Sequence, residues 1–198
     1  MSPQKHATHL LESLGYFADK QSNIVLEVLD GQIPHENEKF PKGELNFAGC
    51  GWRGFYHCHA AKDKNPEEHG HFHLFIRCDD DEWTHVAALS IDNQGQPRGW
   101  FTVNQWVTGA RWLSASDTLS LLDTIPYPDE LTVIEGFLLS ILGLYHDDLK
   151  ALLFERDRQL TQINASASMD DTLDDREIYV LSHQPINFQQ RLQMAVSA

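Results

Sequence analysis

The sequence predicts an α+β fold in which an antiparallel β-sheet of about four or five strands is packed by N-terminal and C-terminal helices. The spacing of the apolar residues carries this prediction. They recur every three or four residues in 1–30, alternate in 50–108, and return mainly to helical spacing in 116–198. The chain has no internal repeat, and we expect residues 1–198 to form a single domain.

The N-terminal segment has the pattern of one long helix or of two abutting helices. Its apolar residues lie three or four positions apart up to Ala18, and the pattern resumes at Val25. A break is expected near Gly15 or Asn23, since glycine and asparagine favour helix ends and caps. Residues 31–50 are rich in proline, glycine and glutamate, and we expect them to form a loop.

The middle third has the period of β-strands. Asparagine, proline, glycine and acidic residues mark turns between its apolar segments, which is typical of strands joined by hairpins. The predicted strands are 55–59, 71–76, 83–92 and 99–107.

The final third is predicted to be mainly helical. Ser116 or Asp117 is expected to cap a short helix that ends near Asp123. Two longer helices follow, one over about 131–142 and one that begins near His146. A Ser/Asp-rich loop is then expected at 164–176, and residues 177–182 alternate like a short strand.

Charge and composition narrow the class of partner. The formal net charge is −14, and the lysines and arginines are scattered, so nucleic acid and anionic membranes are not expected partners. The most apolar stretch, 131–145, is shorter than the roughly 20 residues that a membrane-spanning helix needs. Three cysteines without a CxxC spacing, and a start without a signal-like segment, predict a cytoplasmic protein.

A cluster of histidines concentrates the chemistry of the chain. Five of the eleven histidines fall within residues 57–73. Because alternate residues of a strand share a face, His57 and His59 should lie on one side, as should His69, His71 and His73. If the two segments pair in an even register, the imidazoles converge on one patch.

This convergence predicts a mononuclear metal site, because neutral imidazole is a common ligand of zinc, iron and nickel. The predicted ligands are His57, His59, His71 and His73, and Glu68 is the predicted general base or the carboxylate that orients a ligand. Asp63 and His85 are possible further donors. Such a centre leaves positions open for a small-molecule ligand or substrate, so the leading hypothesis is a metal-binding protein that could act as a mononuclear metalloenzyme.

Two other functions fit the same residues. In the first, the histidines form a non-catalytic interface for a ligand or another protein, tuned by protonation near neutral pH. In the second, His71 transfers a phosphoryl or nucleotidyl group without a metal. Convergent imidazoles in a cleft favour the metal site, whereas a flat, solvent-facing row favours the interface. The sequence predicts neither a particular protein partner nor an oligomeric state.

Two short motifs resemble those of known families. Gly51, His57, His59, Asp63 and Gly70 are spaced as in the first cupin motif, with an aspartate in place of the usual glutamate, which implies that His57, His59 and Asp63 are metal ligands. No second cupin motif is present. The run from His69 to Phe75 resembles the histidine-triad signature of nucleotide hydrolases and transferases, which implies His71 as a nucleophile supported by His69 and His73. It departs from that signature at Gly70.

A longer resemblance is to bacterial proteins of unknown function. They share a Tyr-His-x-His segment, here Tyr56 to His59, followed by Glu-His-Gly-His-Phe-His, here Glu68 to His73. The likeness extends through the region from Trp83 to Trp112. It implies a grouping and supplies no activity.

Overall fold

The N-terminal helices are separated by a capped break. The computed structural model describes residues 1–36, 38–59, 67–124, 127–163 and 168–197. Helix α1 spans Pro3–Asp19, and helix α2 spans Ile24–Leu29. The Asn23 side chain accepts hydrogen bonds from the amides of Val25 and Leu26 at 2.9 and 3.1 Å. Of the two break points that the sequence offered, Asn23 is the one used.

The sheet is antiparallel, and its strands lie side by side in chain order. Within the described residues it has six strands, slightly more than the predicted four or five. They are β1 Phe40–Leu45, β2 Trp52–His57, β3 Gly70–Arg77, β4 Trp83–Ile91, β5 Pro97–Val103 and β6 Val180–Pro185.

Strand β1 lies where a loop was predicted. Only its first and last residues, Phe40 and Leu45, are buried, so it lacks the alternation that marks a strand in a sequence. It also contains Pro41 and Gly43, which are tolerated because β1 is at the edge of the sheet and is paired irregularly with β2.

The helices after the hairpins agree with the predicted helical segment, with three local differences. They are α3 Gln105–Thr108, α4 Ala115–Thr124, α5 Val133–Leu144, α6 His146–Ile163, α7 Met169–Leu173 and α8 Phe188–Ser197. Helix α3 replaces the end of the predicted strand 99–107. Ser114, not Ser116 or Asp117, caps α4 by accepting from the Asp117 amide at 3.1 Å. Helix α7 lies inside the predicted loop 164–176. None of the described helices is both long enough and apolar enough to cross a bilayer.

The two faces of the sheet differ in chemistry. One face packs against α1, α5 and α8 in the main core, where Tyr56, Phe72 and Trp100 are fully buried. The opposite face carries the histidines of β2 and β3. Because β3 and β4 are central strands, nearly all of their residues are buried on both faces.

Candidate metal centre

The pairing of β2 with β3 places histidines opposite one another. His57 is the register partner of His71, and Phe55 is the partner of His73. This is the even register on which convergence of the imidazoles depends, so the three histidines share one face of the sheet. His71 and His73 are nearly inaccessible to solvent, and His57 is partly exposed.

The three side chains converge through their Nε2 atoms. The Nε2 atom of His57 lies 2.6 Å from that of His71 and 3.1 Å from that of His73. One ring nitrogen from each of the three residues lies within 4.8 Å of the other two. We refer to His57, His71 and His73 as the histidine triad. Within the described residues it is the group of side chains suited to hold a metal ion.

The other predicted donors occupy different places. The ring of His59 lies 4.7 Å from that of His57 and 5.2 Å from that of His71, at the edge of the triad. His69 instead contacts the Tyr56 hydroxyl, and its ring stacks on Tyr56. Asp63 lies outside the described residues. The predicted four-histidine set is therefore brought together as three convergent ligands with His59 beside them.

A carboxylate fixes the ring of His71. The Nδ1 atom of His71 donates to Glu68 Oε1 at 2.7 Å, and the Ser90 hydroxyl donates to Glu68 Oε2 at 2.5 Å. Both oxygens of Glu68 therefore hold neighbouring side chains. The arrangement is the carboxylate–histidine pair that commonly orients a metal ligand.

His85 supports the third histidine from the neighbouring strand. Its Nε2 atom lies 3.0 Å from Nδ1 of His73. A bulge in β4 makes this possible: Leu74 pairs with Ala87 whereas Phe75 pairs with His85, so one extra residue is inserted between them. The bulge turns His85 onto the histidine face, where it contacts a triad member from outside.

Burial keeps His57 and His73 in the neutral form that binds metal. It lowers the pKa of His57 to about 3, helped by repulsion from His71, His59 and Lys39. It also lowers the pKa of His73 well below its ordinary value. Burial alone would raise the pKa of Glu68, but hydrogen bonds from His71 and Ser90, together with the electrostatic effect of His71 and His59, outweigh it and lower that pKa. Near neutral pH, the site thus combines neutral imidazoles at His57 and His73 with an ionised carboxylate at Glu68.

A cavity of about 780 Å³ opens beside the triad. His59, His71 and Glu68 form part of its wall. The remainder comes from β4, β5 and the region around β6, with Ser90, Arg98, Gly99, Phe101, Tyr179, Val180, His183, Pro185 and Ile186.

Apolar side chains flank the triad within the sheet. Phe55 and Phe75 pack together on one side, and Phe101 with Val103 lies on the other. The ring of Phe101 meets that of His71 edge-on at 4.9 Å. These contacts limit water at the histidines, which strengthens electrostatic interactions there.

Several cavity residues were not predicted from the sequence. Tyr179 and His183 are more than 100 positions away from the histidine cluster and reach it only because β6 pairs with β5. Asn104 and Arg111, two polar residues that follow β5, do not line the cavity and are used elsewhere. The Asn104 amide donates to the Thr172 carbonyl at 2.9 Å, and Arg111 pairs with Glu82.

Comparisons with known proteins identify a family for this chain but no activity. Among curated proteins and solved structures, none matches this chain. In the part of the chain that the structure describes, the strands form one six-stranded sheet, which differs from the double-sheet jelly roll that a cupin resemblance implies. The family described as "Domain of unknown function (DUF6969)" matches residues 4–186. That match covers most of the chain, so the protein belongs to the DUF6969 family of unknown function.

Proposed function

We propose that this protein is a mononuclear metalloprotein of the enzyme type. His57, His71 and His73 would bind one divalent transition-metal ion, either zinc, iron or nickel, and present it to a small molecule in the adjoining cavity. The observation that carries this proposal is the convergence of one ring nitrogen from each of the three histidines, all within 4.8 Å of one another, on a buried sheet face.

The hydrogen bonds around the triad use the Nδ1 atoms of His71 and His73 and leave their Nε2 atoms to bind a metal ion. Nδ1 of His71 is bonded to Glu68, and Nδ1 of His73 is bonded to His85. When His71 is neutral and donates from Nδ1, its Nε2 atom carries a lone pair. The Nε2 atoms are therefore the ones that face the shared centre. Zinc–nitrogen bonds of about 2.0–2.1 Å in a tetrahedral site would place these atoms roughly 3.3 Å apart. The Nε2 atoms of His57 and His73 are 3.1 Å apart, near that value, and those of His57 and His71 are closer, at 2.6 Å.

The donor set suits chemistry more than a purely structural role. Three neutral imidazoles leave the charge of the ion undiminished, which makes it a strong Lewis acid. A set of three protein ligands with an open fourth position is the usual catalytic zinc arrangement. In this proposal Glu68 orients His71, and His59 at the cavity wall is a further nitrogen donor beside the triad.

Burial favours this proposal over the two alternatives. A protein interface would need exposed histidines, but His71 and His73 are only 2% and 1% exposed. Nucleotidyl transfer through His71 would need its Nε2 atom to face the substrate, yet that atom lies 2.6 Å from His57.

Elemental analysis tests the metal site directly. We expect protein that is purified without chelators, or reconstituted with zinc or ferrous iron, to hold close to one metal ion per chain. The His57→Ala/His71→Ala variant should hold none, because two of three ligands are removed.

The matched control is His183→Ala. His183 lies on the same face of the sheet and lines the cavity, but it is not part of the triad. This variant should keep the metal, and circular dichroism should show that both variants retain the parent fold. A parent that takes up no metal from either salt, or a double variant with unchanged content, would overturn the proposal.

A further inference from the structure

The floor of the cavity is a row of residues that crosses the sheet. His57 pairs with His71, His71 with Ser90, Ser90 with Gly99, and Gly99 with Pro185. The next two residues in this row after His71 are small: Ser90 has only a hydroxymethyl side chain, and Gly99 has no side chain. Adjacent strands lie about 4.8 Å apart, so the row runs about 10 Å from His71 to Gly99. The His183 ring covers the far end of the row, since its Nε2 atom lies 3.1 Å from the place that a Cβ atom at Gly99 would occupy.

Arg98 precedes Gly99, at the far end of this row, and lines the cavity. Of the described residues that line the cavity, it is the one with a permanent positive charge. Its Nε atom pairs with Asp92 Oδ2 at 3.0 Å. Asp92 is itself held in place, because its Oδ1 atom accepts from the amides of Gln94 and Gln96, each at 2.8 Å.

This anchoring leaves part of the guanidinium unused. Within the described residues, Asp92 is the partner of Arg98, and it takes only the Nε side. The two terminal nitrogens remain, and they form the fork that binds a carboxylate through two parallel hydrogen bonds.

The charged side chains that line the cavity favour one orientation of a bound anionic ligand. Glu67 and Glu68 line it near His71, where they repel a carboxylate, whereas Arg98 attracts one at the other end. Between these ends, Phe101, Val180 and Ile186 offer an apolar wall.

We propose that the cavity binds a small monocarboxylic acid with an apolar body. Its carboxylate pairs with Arg98, its body lies along Phe101 and Val180, and its other end reaches the histidine triad. This inference rests on the proposed function, because it names the substrate class of the same site.

Calorimetric titration tests the inference, with 4-phenylbutyrate and the matched neutral 4-phenylbutanol as probes. Each is titrated into zinc-loaded and into metal-free protein, and the zinc content of every sample is measured. The acid should bind at least tenfold more tightly than the alcohol in both forms of the protein. Arg98→Gln should remove this preference. Arg77→Gln should keep it, since Arg77 lies at the end of β3 over Trp83 and does not line the cavity.

The two proposals fail in distinguishable ways. If the parent takes up no zinc but the acid still binds through Arg98, the metal proposal fails and the carboxylate site stands. If zinc is bound but acid and alcohol bind equally, or neither binds, the carboxylate site is overturned. It is also overturned if acid binding needs zinc and survives Arg98→Gln, because the metal would then be holding the carboxylate.

Discussion

The role of Glu68 follows from how its two carboxylate oxygens are used. One accepts from His71 and the other from Ser90. A general base needs an oxygen that reaches the substrate, so Glu68 as found is better placed to fix the His71 ring. Ser90 in turn holds Glu68, so Ser90 and Glu68 together fix the orientation of the His71 ring.

These hydrogen bonds from Ser90 to Glu68 and from His71 to Glu68 predict that substitutions at Glu68 and Ser90 weaken metal binding to different degrees. Glu68→Gln should weaken zinc binding roughly tenfold to 100-fold, because the acceptor that orients His71 loses its charge. Ser90→Ala should have a smaller effect in the same direction, since the carboxylate remains. Competition with a chromogenic chelator measures both.

Glu12→Gln, on the exposed side of α1, serves as the control and should bind zinc like the parent. If Glu68→Gln binds zinc as tightly as the parent, Glu68 does not position His71, and the role of general base becomes the better explanation.

The sequence predicted a set of four histidines, and three of them converge because alternation holds inside a strand. His57, His71 and His73 all lie within β2 or β3, and all three share a face. His59 and His69 lie just outside those strands, where the period of two no longer fixes the direction of a side chain. This is why one remains at the edge of the triad and the other contacts Tyr56.

At the scale of single elements, the bulge in β4 is the feature that could not be predicted from the sequence. Strict alternation would place His85 with Ala87 and Leu89 on the core face. The extra residue directs Val86 and Ala87 into the core and His85 toward His73. Nothing in a run of small and β-branched residues marks such a bulge, because it depends on the pairing with β3.

Alanine substitutions at two glycines of helix α5 should change the free energy of unfolding in opposite directions. A Cβ atom added at Gly136 would meet nothing within 4 Å, whereas one at Gly143 would overlap the ring of His6. Gly136→Ala should therefore raise the free energy of unfolding by about 0.5–1 kcal/mol through helix propensity. Gly143→Ala should lower it by about 1–3 kcal/mol through overpacking against α1.

Urea unfolding of the two variants beside the parent measures this difference. Each substitution is the control for the other, since both place alanine in the same helix. Equal effects at the two positions would show that His6 does not pack on Gly143 as described.

At the scale of the whole molecule, the cavity exists because the chain returns to its own sheet. Strands β1 to β5 follow one another, and β6 joins β5 only after the helical segment. The sequence predicted the short strand 177–182, but strand pairing over such a separation leaves no local pattern. The helical core and the hairpins were predictable for the opposite reason, because their patterns are local.

The stability of the whole molecule should depend on pH through His6. Burial, followed by repulsion from the amino terminus, His9 and His146, lowers the pKa of His6 to about 4. In the unfolded chain its pKa is about 6.5. As the pH falls from 6.5 to 4, the unfolded chain takes up a proton that the folded protein refuses, so the free energy of unfolding decreases.

Urea unfolding of metal-free protein between pH 4 and 7 tests this linkage. The dependence of unfolding free energy on pH should be smaller in His6→Gln than in the parent, by up to about one proton. The buried histidines of the sheet are present in both proteins, so the difference between them isolates His6. His35→Gln, at an exposed loop position, should keep the slope of the parent. A His6→Gln slope equal to that of the parent would mean that His6 already accepts its proton in the folded state.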